Sequence, residues 1–117
     1  MTDRTTTTCA DVTTERPGRY GKQLVSHLSR RSVGSWDDDS ALGTIEFSKA
    51  HAALSCFDDH LHIELTAAPE DLDQMEDVVG RHLVRFGTRD ELTVAWVRDD
   101  GTRGTQQRHL GESSQDR

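Results

Sequence analysis

The residues of this chain best suited to chemistry are its six histidines, because imidazole carries protons near neutral pH and is the commonest nitrogen ligand for transition metals. Spacing decides which of them can act together. His60 and His62 alternate with Glu64, so a strand there sends all three to the face opposite Leu61, Ile63 and Leu65. Such a His-x-His pair can hold a divalent transition metal when a third ligand approaches. The neighbouring strand offers Phe57, Ser55 and Ala53 instead, and His51 stands about four residues from His62, roughly 13 Å at strand rise. Polar residues belong on a solvated sheet face anyway, which leaves His60 and His62 as weak metal candidates.

His27 and His82 differ, since each lies on or beside the apolar face of a helical pattern and is followed directly by Leu. A half-buried imidazole has two ring nitrogens to satisfy, and Tyr20 shares the face of His27. Two readings stay open. Tyr20, His27 and His82 line a pocket with a general base or a weak metal site between helices and sheet, or they are hydrogen-bonded residues at the edge of the core that fix helix packing. The chain holds no Cys-x-x-Cys pair, dinucleotide fingerprint, phosphate-cradling glycine loop or nucleophile with its base. Trp36 and Trp96 have the faces to stack a ligand, yet Trp96 shares its strand face with Leu92 and Val94 and reads more simply as core.

These side chains are positioned by a short series of elements. A strand is expected over residues 10–14, then a helix with Pro17 in its first turn, running to about Arg31 and packing through Tyr20, Leu24, His27 and Leu28. Val33 to Trp36 and Leu42 to Ser48 flank the Asp37-Asp38-Asp39-Ser40 turn as a hairpin. Residues 52–57 and 60–66 form a second hairpin around Asp58-Asp59, with Cys56, Leu54 and Ala52 opposite Leu61, Ile63 and Leu65. A second helix begins at Pro69 with acids, Glu76 among them, toward its positive end and Arg81 and Arg85 toward its negative end, and stops at Gly87. Its stripe is Leu72, Met75, Val79, Leu83 and Phe86, and a last strand covers residues 92–98.

The order β-α-β-β-β-β-α-β predicts an α+β two-layer sandwich, a mostly antiparallel sheet covered on one face by two helices. A chain of 117 residues fits one such domain. Residues 10–98 are expected to fold, with disordered tails at 1–9 and 99–117, where apolar residues are almost absent. The net charge of −7 argues against a nucleic-acid partner. No stretch is long and apolar enough for a membrane span or a secretory signal. With two cysteines, Cys9 and Cys56, the expectation is a reducing, cytoplasmic compartment and a free buried thiol at Cys56.

The segments around Ala10 to Arg16, Arg19-Tyr20, Gln23-Leu24, His27, Glu76 to Val79, His82-Leu83-Val84-Arg85-Phe86, Arg89 to Leu92 and Trp96 resemble a bacterial family called domain of unknown function 2218. The resemblance carries over no catalytic role and leaves any cofactor unknown. Gln23 and Arg85, which lie in those segments, join Tyr20, His27 and His82 as candidate ligand-binding residues. Some similar domains accompany siderophore-interacting flavin reductases, which implies an accessory ligand- or metal-chelate-binding module in iron acquisition, with a flavin reductase as partner. The alternative is an interaction domain that forms a homodimer, or docks on a reductase, through its open sheet face or the basic side of its first helix. An enzyme that uses His27 or His82 as proton carrier ranks behind both.

Overall fold

In the computed structural model, which describes residues 5–30, 32–86 and 92–108, alternation of apolar and polar residues builds one antiparallel sheet. The second hairpin sits at its centre. β4 (Ala50–Cys56) pairs with β5 (His60–Ala67) in the expected register, Cys56 against Leu61, Leu54 against Ile63 and Ala52 against Leu65. A slip by one residue would turn that apolar row to solvent, which is why the register is so legible. β2 (Val33–Asp37) and β3 (Leu42–Glu46) form the other hairpin, closed by Asp37, whose carboxylate accepts from Asp39 N at 3.0 Å and Ser40 Oγ at 2.9 Å. β1 (Thr6–Thr13) lies between β5 and β6 (Thr93–Arg98), and β7 (Arg103–Arg108) closes the far edge. The strand order is β2-β3-β4-β5-β1-β6-β7.

Two helices cover one face of this sheet, as an α+β sandwich requires. α1 (Pro17–Leu28) packs on β2 to β5, while α2 (Leu72–Phe86), entered through a short 3-10 turn at Pro69–Asp71, packs on β5, β6 and β7. Leu24, Val25 and Leu28 of α1 and Leu72, Met75, Val79, Leu83 and Val84 of α2 meet Ile45, Leu54, Leu61, Ile63, Leu65, Val94 and Trp96 in one core. Burying a side chain of this kind stabilises the fold by about 1.5–3 kcal/mol. No helix of the described residues is long and apolar enough to cross a membrane.

Several expectations need correction. α1 ends at Leu28, short of Arg31, because Ser29 Oγ turns back onto Val25 O at 2.6 Å and β2 crosses directly beneath. A Cβ on Gly34 would meet Ser29 Oγ at 2.0 Å, so this crossing requires glycine. β1 begins at Thr6 instead of Ala10, since its ladder with β5 runs out to Thr6 opposite Ala67. The order gains a strand, because Arg103–Arg108 of the expected tail pairs with β6. Residues 1–4, Arg31, Gly87 to Glu91, residues 109–117 and the side chain of Phe86 lie outside the described residues, so the helix stop at Gly87 and the outer tails do too.

Candidate functional site

The two helices meet the turn between β3 and β4 around a groove of about 630 Å³. The end of α1 supplies His27, Leu28 and Arg30; the turn supplies Phe47 and Lys49; α2 supplies Gln74, Met75, Val78 and His82. A helical face brings each imidazole here, and the helix crossing sets their ring centroids 5.0 Å apart at a tilt of 47°. His82 Nδ1 donates to Val78 O at 2.6 Å, one turn back on the same helix. That bond fixes the ring and leaves Nε2 as its other polar atom. The pKa of His27 is lowered, by desolvation first and then by His82, Arg30 and Arg85, so its imidazole is neutral at pH 7. Among the described residues Arg30 and Lys49 are the charged side chains lining the groove, and Leu28, Phe47, Met75 and Val78 supply its apolar surface.

The remaining candidates lie elsewhere. Tyr20 is buried under α1 and does not line the groove. Gln23 is exposed outside it. Arg85 is exposed and lines a separate cleft of about 570 Å³ with Asp77, Arg81, Val84 and β7, reaching His27 only through its field. His60 and His62 stand on the helix-free face, where His60 Nδ1 pairs with Asp59 at 2.7 Å and His62 Nδ1 with Asp11 at 2.6 Å. His51 pairs with Glu46. Trp96 is core, with Nε1 donating to Gln107 Oε1 at 2.7 Å, and Cys56 is a half-buried free thiol whose pKa burial raises.

Sequence reasoning missed a polar network beneath α2. Glu76, assigned to the dipole of the helix, has a fully buried side chain. Its carboxylate accepts from Arg98 Nη2 at 3.1 Å and Nε at 3.2 Å, from Thr105 N at 2.8 Å and from Thr105 Oγ1 at 3.0 Å. Arg98 also holds Asp73, and Gln107 Nε2 donates to Thr105 Oγ1 at 2.8 Å. Burial would raise the Glu76 pKa, but the Arg98 and Thr105 hydrogen bonds outweigh it and the net shift is downward. Thr8 adds to the field at that carboxylate, although its buried Oγ1 lies outside normal hydrogen-bond geometry. The available signal was a carboxylate at helical spacing from Leu72 and Val79, on the buried side of the helix. The network ties α2 to β6 and β7, and Glu76, Arg98 and Thr105 line neither of the two clefts, so we read it as structural.

The model of a family described as uncharacterised proteins conserved in bacteria (DUF2218) matches residues 9–97. The chain is also similar to the NMR structure of PA4090 from Pseudomonas aeruginosa. The two are 26% identical over 78% of this chain and 94% of that one, with a TM-score of 0.61. No curated protein matches.

Proposed function

Because the chain belongs to this uncharacterised bacterial family, whose match spans most of its length, its function is argued from the site, and we propose that the His27–His82 groove binds a small anionic ligand with an apolar body. One observation carries the reading: in a chain of net charge −7, the charged residues lining this groove are Arg30 and Lys49, set beside two imidazoles and an apolar surface. Cations focused in a concave, partly apolar site attract anions far more strongly than the same charges on open surface. The volume of about 630 Å³ falls within the range of roughly 300–1,000 Å³ usual for small-ligand sites. Leu28, Phe47, Met75 and Val78 would take the apolar body, while Arg30, Lys49 and His82 Nε2 would take the charged and polar groups.

An anionic iron chelate of the siderophore class meets this description, and it is the ligand that the family resemblance implies. A bare cation fits less well, since both lining charges repel it. The role is read as binding rather than catalysis, since His82 Nδ1 is committed to a backbone carbonyl instead of to a carboxylate that would make the ring a stronger base.

The test is calorimetric titration of the full chain with an anionic ferric catecholate chelate and with an uncharged chelate of similar size. Binding of the anion is expected to weaken at least tenfold in Lys49→Glu and in the His27→Ala/His82→Ala double variant, and to tighten as pH falls below the ordinary imidazole range, where the depressed His27 gains its proton. Equal binding of both chelates, or binding indifferent to these substitutions, would overturn the proposal. Native mass spectrometry of untagged protein identifies any anion that co-purifies.

A further inference from the structure

The face of the sheet opposite the groove carries a different chemistry. The register of β1 against β5 sets Cys9 opposite Glu64 and Asp11 opposite His62, all pointing away from the helices. β4 offers no third ligand to His62, but β1, on the other side, does. One donor atom from each of Cys9, His62 and Glu64 lies within 4.8 Å of the other two, the group of three such residues that stands out among those described. A thiolate, an imidazole and a carboxylate are the donor set of a borderline-soft divalent ion such as zinc.

Two further observations point the same way. His62 Nδ1 is held by Asp11 Oδ1 at 2.6 Å, the carboxylate-to-imidazole bond that orients metal-binding histidines and leaves Nε2 to the ion. Asp11 and Glu64 on the paired strands and Asp99, bonded to Thr6 and Thr7 of β1, make this patch negative where the groove is positive. Bond lengths of zinc to these atoms imply donors about 3.3–3.8 Å apart in a tetrahedral centre. Side-chain rotation on a rigid strand pair is enough to close from within 4.8 Å. Phe57, stacked on His60 at 4.7 Å and edge-on to His62 at 6.4 Å, shields one flank from water.

We propose that Cys9, His62 and Glu64 form a binding site for a divalent ion of the zinc class on the helix-free face, with Asp11 as positioning residue and a fourth coordination place open to water. Sulfur, nitrogen and oxygen each give one lone-pair donor, and the thiol proton passes to solvent on binding.

The experiment uses the full chain, stripped by a chelator and titrated with Co²⁺ as an optical probe and with Zn²⁺ by calorimetry. One ion per chain is expected, with a thiolate-to-cobalt charge-transfer band that disappears in Cys9→Ser and persists in Cys56→Ser. Zinc affinity is expected to fall about 10- to 100-fold in His62→Gln, and similarly in Asp11→Asn while the band remains, as for loss of a supporting carboxylate. The His27→Ala/His82→Ala variant keeps the site and so separates it from the groove. No charge-transfer band, a band lost with Cys56, or zinc lost with His27 and His82 would each overturn the proposal. Should Cys9→Ser fail to fold by circular dichroism, the wild-type band together with the His62→Gln affinity decides the question.

Discussion

Glu76 places an ionised carboxylate with no exposed side-chain surface beside a guanidinium that keeps 23% of its own. Its pKa lies below the ordinary glutamate value of 4.5, so its stabilisation is complete above that value and is lost as pH falls through the folded one. Arg98→Met should therefore destabilise the protein at neutral pH by about 3 kcal/mol, the low end of the cost of stranding a buried charge, because Thr105 still donates to it. Without Arg98 the carboxyl loses hydrogen bonds that hold its pKa down, so its pKa in the variant lies above that of the wild type. The gap between variant and wild type in urea unfolding should then narrow as pH falls through the carboxylate range, where the wild type loses the stabilisation that the variant already lacks. A gap independent of pH would mean that Glu76 is not the residue that feels Arg98.

At the scale of the element, β7 is held by polar contacts where the other strands rely on apolar ones. Its sequence, Arg103–Arg108, has no large apolar residue, and its buried side chain is Gln107. The strand forms because Gln107 satisfies Trp96 and Thr105 satisfies Glu76, so its backbone and side chains exchange water for fixed partners. Close approach matters at Gly104, where a Cβ would meet Glu76 Oε2 at 2.3 Å. Gly104→Ala should thus cost about 1–3 kcal/mol, the usual penalty for overpacking, and should alter the near-ultraviolet circular dichroism of Trp96. Unchanged stability would show that β7 does not dock on α2.

For the whole molecule, the question is what meets the helix-free face. Val33, Leu42, Phe57 and Val97 are each about half exposed or more, but they sit on three different strands and, for Phe57, in the turn after β4, among Asp, Glu and His. Scattered residues of this kind are ordinary on a solvated antiparallel sheet and give no continuous patch for a partner. Sedimentation velocity of chelator-treated protein should then show a monomer of 13.1 kDa that does not change with concentration. A dimer dispersed by Phe57→Ser and Leu42→Ser would instead make this face an interaction surface and favour the homodimer reading.

The sequence alone determined what repeats locally. Period-two alternation named the strands and the register of Leu54 against Ile63, and helical spacing named the stripe of α2 and put His27 and His82 on inward shoulders. These patterns are legible because each is an exchange of water for apolar contact, written in neighbouring residues. Only the tertiary structure decided what depends on distant partners. It set β1 beside β5 and so brought Cys9 to Glu64; it buried Glu76 against Arg98; it made a strand of Arg103–Arg108; and it placed the two imidazoles 5.0 Å apart while leaving Tyr20 outside their groove. A polar residue bonds equally well to water or to a protein partner, so its own sequence neighbourhood holds no record of which it meets.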